Sequence, residues 1–205
     1  MPRPARVSPD RILAAAALEF AQRGYAGARV DRIARRARVN KAMLYYHFGS
    51  KQELYRTLLR RSFGQLAAQL QAIADSSLAV DERLDAAVAA LAAHITAYES
   101  FPSIMLREMA EGGTHLDPDT MASMAAVPQA FSAILRPGIQ NGAFRNVHPI
   151  AAYFTTIAPI VMFMASAPVR ARIAARQVGP FAGRPLETDD FVAELKRSLR
   201  RAFAQ

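Results

Sequence analysis

The sequence predicts an all-helical chain of about nine helices, a small basic unit followed by a larger neutral one. Three observations carry that expectation. Apolar residues recur three and four positions apart along most of the chain, the period that places them on one face of a helix. No stretch alternates apolar and polar residues between hairpin signals, and no internal repeat is present. The charge is also uneven. Residues 1 to 60 hold 13 Lys and Arg against 4 Asp and Glu, whereas the rest of the 205 residues hold 13 of each, so the formal charge of +9 resides in the first 60. A basic module joined to a neutral one points to a polyanionic partner for the first alone. We divide the chain at residues 1–52 and 53–205.

Taken in order, residues 2 to 7 (PRPARV) form a basic arm broken by proline. Such arms order on meeting a partner, and some reach DNA phosphates or the minor groove. Ser8-Pro9-Asp10 starts the first helix, with Ser8 as N-cap, Pro9 where a missing N–H is tolerated and Asp10 favourable to the dipole. Ile12, Leu13, Ala16, Ala17 and Phe20 form its inward stripe, and Gly24 stops it. In the second helix Val30, Ile33, Ala34 and Ala37 share one face, with Arg32, Arg35 and Arg36 on the other. A third opens at Asn40, whose side chain can accept from the free N–H groups of the first turn. Its inward residues are Leu44 and Phe48, which leaves Lys41, Ala42, Met43, Tyr45, Tyr46 and His47 for the outer faces. A fourth follows Gly49, with Ser50 as N-cap and Glu53 at the N3 position of a capping box. Its stripe runs Leu54, Tyr55, Leu58, Leu59, Phe63, Leu66, Leu70 and Ile73, one long helix that leaves the basic module for the neutral one.

Helices two and three, joined by a tight turn, read as a helix-turn-helix. The outward face of the second member suits DNA: Lys41 is a flexible cation, Tyr45, Tyr46 and His47 are flat donors, and Lys51 stands at the next helix start. The segment VNKAMLYYHFGSKQEL resembles the signature of the TetR family of one-component transcriptional regulators, with its leucine, aromatic pair, histidine, phenylalanine and following lysine in place. The resemblance extends back over Ile12 to Gly24 and Tyr25, about the first quarter of the chain. It implies a cytoplasmic homodimer, a repressor, that reads a palindromic operator in double-stranded DNA and is released by a small-molecule effector. On that reading the helix opened by Asn40 enters a major groove. Lys41, Ala42, Met43 and Tyr45 then approach base edges, and Arg29, Tyr46, His47 and Lys51 hold phosphates. Two positions depart from the family pattern. Arg29 stands where a hydroxyl residue often caps the second helix, and an Arg cannot cap. Arg38 replaces a turn glycine where a left-handed conformation is often needed, so strain is expected there.

Beyond Asp75-Ser76-Ser77, Leu84, Val88, Leu91, Ile95 and Tyr98 mark an Ala-rich helix, and Phe101-Pro102 separates it from a shorter one over SIMLREMAEGG. A helix from about Pro118 to Asn141 turns Phe131, Ile134, Leu135 and Ile139 inward. Pro149 to Val169 carries no charge. It meets the length of a membrane span, but a helix apolar all round also suits a buried interface, and we expect no membrane. Pro159 in its middle predicts a kink. After a Gly- and Pro-rich loop over 176–187, a last helix runs from about Asp189 to Ala204. We expect the dimer interface to use Phe154, Val161, Phe191, Leu195, Leu199 and Phe203.

The chain has no Cys, no His-Glu-x-x-His, no Gly-x-Ser-x-Gly and no dinucleotide fingerprint, and its four His are scattered. Neither enzyme chemistry nor a metal or cofactor is expected. Many Met and Phe beside a few polar groups suit an adaptable small-molecule cavity. An apolar or amphipathic effector is the expectation, lined by His94, Tyr98, Met105, Glu108, Met109, Phe131, Thr155 and Met162. The alternative is a sequence-tolerant architectural DNA-binding protein without an effector.

Overall fold

The computed structural model describes residues 8–177, 179 and 185–205. The basic arm expected over residues 2 to 7 lies outside them, as does part of the loop expected over 176–187. Among the described residues there are ten α-helices and no strand: α1 (Pro9–Gly27), α2 (Val30–Ala37), α3 (Lys41–Phe48), α4 (Lys51–Ala74), α5 (Val80–Ala97), α6 (Phe101–Ala110), α7 (Pro118–Gln140), α8 (Pro149–Ala165), α9 (Ala167–Ala174) and α10 (Thr188–Phe203). They fall into two compact units. The first takes the chain up to Ser62 together with Ser103–Ala122, and the second takes Phe63–Pro102 with Ser123–Gln205. Helix α4 continues unbroken across residues 52 and 53.

The first unit is built on the stripes that the sequence marks. Ile12, Ala16 and Phe20 of α1, Ile33 of α2, Leu44 of α3, and Leu54 and Leu59 of α4 are buried. Tyr55 meets both Phe20 and Tyr25 edge to face, at 4.8 and 5.1 Å between ring centroids. Ser8 caps α1, accepting from the Asp10 amide at 3.2 Å. Gly24 interrupts that helix at φ 68° and ψ 174°, a conformation that needs a glycine. The α6 segment adds a buried carboxylate. Glu108 is 1% exposed and accepts from the Tyr55 hydroxyl at 2.8 Å and the His115 amide at 3.0 Å, with the His115 ring nitrogen 3.1 Å away. Burial and this carboxylate push the Tyr55 hydroxyl far up, so it remains a donor.

In the second unit, Leu84, Val88 and Leu91 of α5, Phe131, Ile134 and Leu135 of α7, and Ile160 of α8 form the core. Helix α5 packs against α8 and α10. Arg200 fastens α10 to α5 by two bonds to the Asp85 carboxylate, at 3.0 and 2.8 Å. Leu199 and Phe203 are buried within this same protomer. Both residues were expected at a dimer interface, and in the protomer they are already part of its core. Pro159, where a kink was expected, lies inside a helix that a further bend then ends. Helix α8 runs through Pro159, and the break of 52° falls at Ser166, between α8 and α9. Pro168 in the first turn of α9 needs no amide donor there. Among the described residues, no single helix is long and apolar enough to cross a membrane.

Candidate nucleic-acid interface

The turn between α2 and α3 fixes the geometry of the face. Arg38 adopts φ 54° and ψ 48°, the left-handed conformation expected for it. The Val39 amide then donates to the Ala34 carbonyl at 2.9 Å, which closes α2. Asn40 caps α3 by accepting from the Met43 amide at 2.7 Å. Leu44 and Phe48 are buried, so the rotation of the helix is set. Lys41, Ala42, Tyr45 and Tyr46 are exposed, Met43 and His47 half-buried, and Tyr46 is 83% exposed. A planar phenol so placed gains nothing from the protein's own core, and it suits a partner's groove edge.

The cations of this face are not equivalent. Lys41 pairs with Asp31 of α2 at 3.0 Å, and that carboxylate raises its pKa by hydrogen bonding and then by charge. Arg29 is exposed at the N-cap of α2 and makes no side-chain cap. Lys51 has partners within the protein. Its ammonium donates to the carbonyls of Tyr25 at 2.8 Å and Ala28 at 3.2 Å, and lies 4.5 Å over the Tyr25 ring. Burial lowers its pKa. Lys51 therefore stitches the end of α1 to the start of α4, with one of its three N–H donors left over. Ser50 caps α4 as expected, accepting from the Glu53 amide at 3.0 Å, but the Glu53 carboxylate turns to Arg60 and Thr57.

Two residues of this region have no place in the sequence expectation. Asp31 holds Lys41. Glu19 of α1 is 2% exposed, accepts from Arg32 Nε at 2.7 Å and reaches the Arg29 amide at 3.4 Å. The available signal was its position, three residues after Ala16 on the inward face of α1, where an acid demands a partner.

The residues expected around an effector are distributed. In the first unit Met105 is buried, Glu108 is committed to Tyr55 and His115, and Met109 is exposed. In the second, His94 is buried, its pKa lowered by that burial, and its ring lies 4.8 Å from that of Tyr98. The Tyr98 hydroxyl donates to Gln65 at 2.8 Å, and Phe131 is buried edge-on to Tyr153. Thr155 returns its hydroxyl to the Ala151 carbonyl at 2.8 Å, and Met162 is 60% exposed. A groove of about 470 Å³ in this unit is lined instead by Ala67, Ala68 and Gln71 of α4 and residues of α7 from Ala126 to Arg136. Of the expected interface, Phe154 is 54% exposed, Val161, Phe191 and Leu195 are half-buried, and Phe191 stacks on Phe163 at 4.1 Å. Glu108, Glu111 and His115 could offer ligand atoms to a cation within 4.8 Å of one another. Glu108 already accepts from two protein donors, which leaves that set poorly disposed for an ion.

The sequence pattern of the family described as "Bacterial regulatory proteins, tetR family" matches residues 12–58. The HTH-type transcriptional repressor NicS of Pseudomonas putida is 30% identical over 162 residues, which span 75% of this chain and 74% of that protein. The HTH-type transcriptional repressor SCO4008 of Streptomyces coelicolor is 49% identical over 57 residues, only 28% of this chain and 30% of that protein. Among solved structures, the TetR family transcriptional regulator PfmR of Thermus thermophilus aligns with a TM-score of 0.73 at 24% identity, over 94% of this chain and 98% of that one.

Proposed function

The chain belongs to the TetR family of bacterial regulatory proteins, and on that premise we propose that it is a homodimeric repressor that binds a palindromic operator and is released by a small-molecule effector. The observation that carries the reading is the row Lys41, Ala42, Tyr45 and Tyr46, exposed on a short helix whose other side is locked by Leu44 and Phe48. Its length and cap suit insertion into a major groove, N-terminus towards the bases. Lys41, Ala42, Met43 and Tyr45 read base edges, while Arg29, Tyr46, His47 and the remaining donor of Lys51 engage phosphates. The basic charge of the first 60 residues supplies the sequence-independent attraction.

Two protomers pair through the exposed apolar side of α8. Ile150, Phe154 and Met162 are exposed there, with Val161 half-buried, and Phe191 and Leu195 flank them. A two-fold axis through this pair makes the operator palindromic, with half-sites a DNA turn or more apart. The effector is apolar or amphipathic, and acts by favouring the state in which the two α3 helices no longer match that spacing. Selection of duplexes from a random pool, followed by a comparison with random duplex at fixed salt, tests the reading. It predicts a palindrome bound by two protomers. Equal affinity for both duplexes would favour an architectural binder.

A further inference from the structure

The start of α2 lacks the two side chains that ordinarily satisfy a helix N-terminus. Its N-cap residue, Arg29, makes no side-chain cap, and its N3 residue is Arg32, a cation that cannot accept from the N-cap amide as Glu or Gln would. Both deficits converge on Glu19. One oxygen of that buried carboxylate accepts from Arg32 Nε at 2.7 Å and faces the Arg29 amide at 3.4 Å. Arg32 then donates to the Gly27 carbonyl at 3.0 Å, binding the loop between α1 and α2 into the same arrangement. The carboxylate also stands at the positive end of the α2 dipole.

We propose that Glu19 is a positioning residue for DNA binding: it caps α2 from a neighbouring helix, withdraws Arg32 from the DNA-facing charge, and leaves the Arg29 side chain to the phosphate backbone. The proposal rests on the operator-binding reading above. Because α2 carries Asp31, the partner of Lys41, an error in its first turn passes directly to the start of α3. Loss of Glu19 therefore lowers discrimination between sequences, and it raises attraction to any duplex by releasing a guanidinium.

The test uses Glu19→Leu, which keeps an apolar filler in the buried site, and Glu19→Leu/Arg32→Gln, which returns the wild-type net charge and supplies an N3 acceptor in cis. The probes are a duplex selected from a random pool by the wild-type protein and a random duplex of equal length. The single variant should lose about tenfold in the affinity ratio of the two duplexes, the scale of one lost cap, and the double variant should recover most of it. Hydrogen exchange at the Arg29 amide should rise in the single variant and fall again in the double. Should the Leu variant not fold, Glu19→Met takes its place in both arms. An unchanged ratio in the single variant, or no recovery in the double, would overturn the proposal. Exchange at Arg29 that ignores Glu19 would do the same. If the wild-type protein selects no duplex, the operator-binding reading fails, whereas the exchange arm still reports on the cap.

Discussion

At the scale of single residues, Arg38 holds the left-handed conformation that closes α2 and starts the turn to α3. Its conformation was legible because Arg38 replaces a turn glycine of the family pattern, at a position where a left-handed residue is often needed, and φ 54° bears this out. Arg38→Gly should stabilise the chain by about 0.5–1 kcal/mol, read as a higher urea midpoint at unchanged slope. Gly138 offers the opposite case, since a Cβ there would meet the Phe144 ring at 2.3 Å. Gly138→Ala should cost about 1–3 kcal/mol by overpacking. His94 makes stability depend on pH. Burial lowers its folded pKa, so below the ordinary value of 6.5 the unfolded chain takes up the proton first. Stability is full above that value and falls towards pH 5, and His94→Asn should flatten the decline in a pH series of thermal melts. The inward position of Glu19 showed that it needed a partner but not which one. The partners of Lys51 were not legible, because both sets include backbone groups that only the fold brings near.

At the scale of elements, periodicity located the helices and left their neighbours open. The stripe on α10 was correctly apolar, but its period says nothing about whether the covering helix belongs to the same protomer. Here Leu199 and Phe203 are buried within the protomer, whose α10 packs against α5 and α8. Phe154→Glu, on the exposed side of α8, should give monomers in sedimentation with helicity retained, whereas Leu199→Glu should unfold the protomer. The bend tells a similar story. Pro159 marked α8 as a place to bend, but nothing in the apolar run marked the 52° turn at Ser166 that separates α8 from α9. Surrounding packing can hold a proline within a helix, at the loss of one backbone bond. Glu108 in α6 separates two roles. If its service is the bonds to Tyr55 and His115, Glu108→Ala should cost about 1–3 kcal/mol for each donor left without an acceptor. A thermal melt unchanged from wild type would return Glu108 to the effector.

At the scale of the whole molecule, charge and motif together made the functional class legible from the first quarter of the chain. The neutral remainder carries no comparable signature, since apolar helices pack in many ways with the same composition. Compactness also follows contacts across the chain rather than order along it: Ser103–Ala122 joins the helix-turn-helix unit through pairings such as Tyr55–Glu108. The central claim is that the exposed row on α3 reads sequence. Its most direct measurement is a random-pool selection run in parallel on wild type and Lys41→Ala. Wild type should select a palindrome. In the variant, preference should relax at symmetry-related base pairs, by about 1–3 kcal/mol each, with the rest of the site retained. The same selected sequence from both proteins would contradict it.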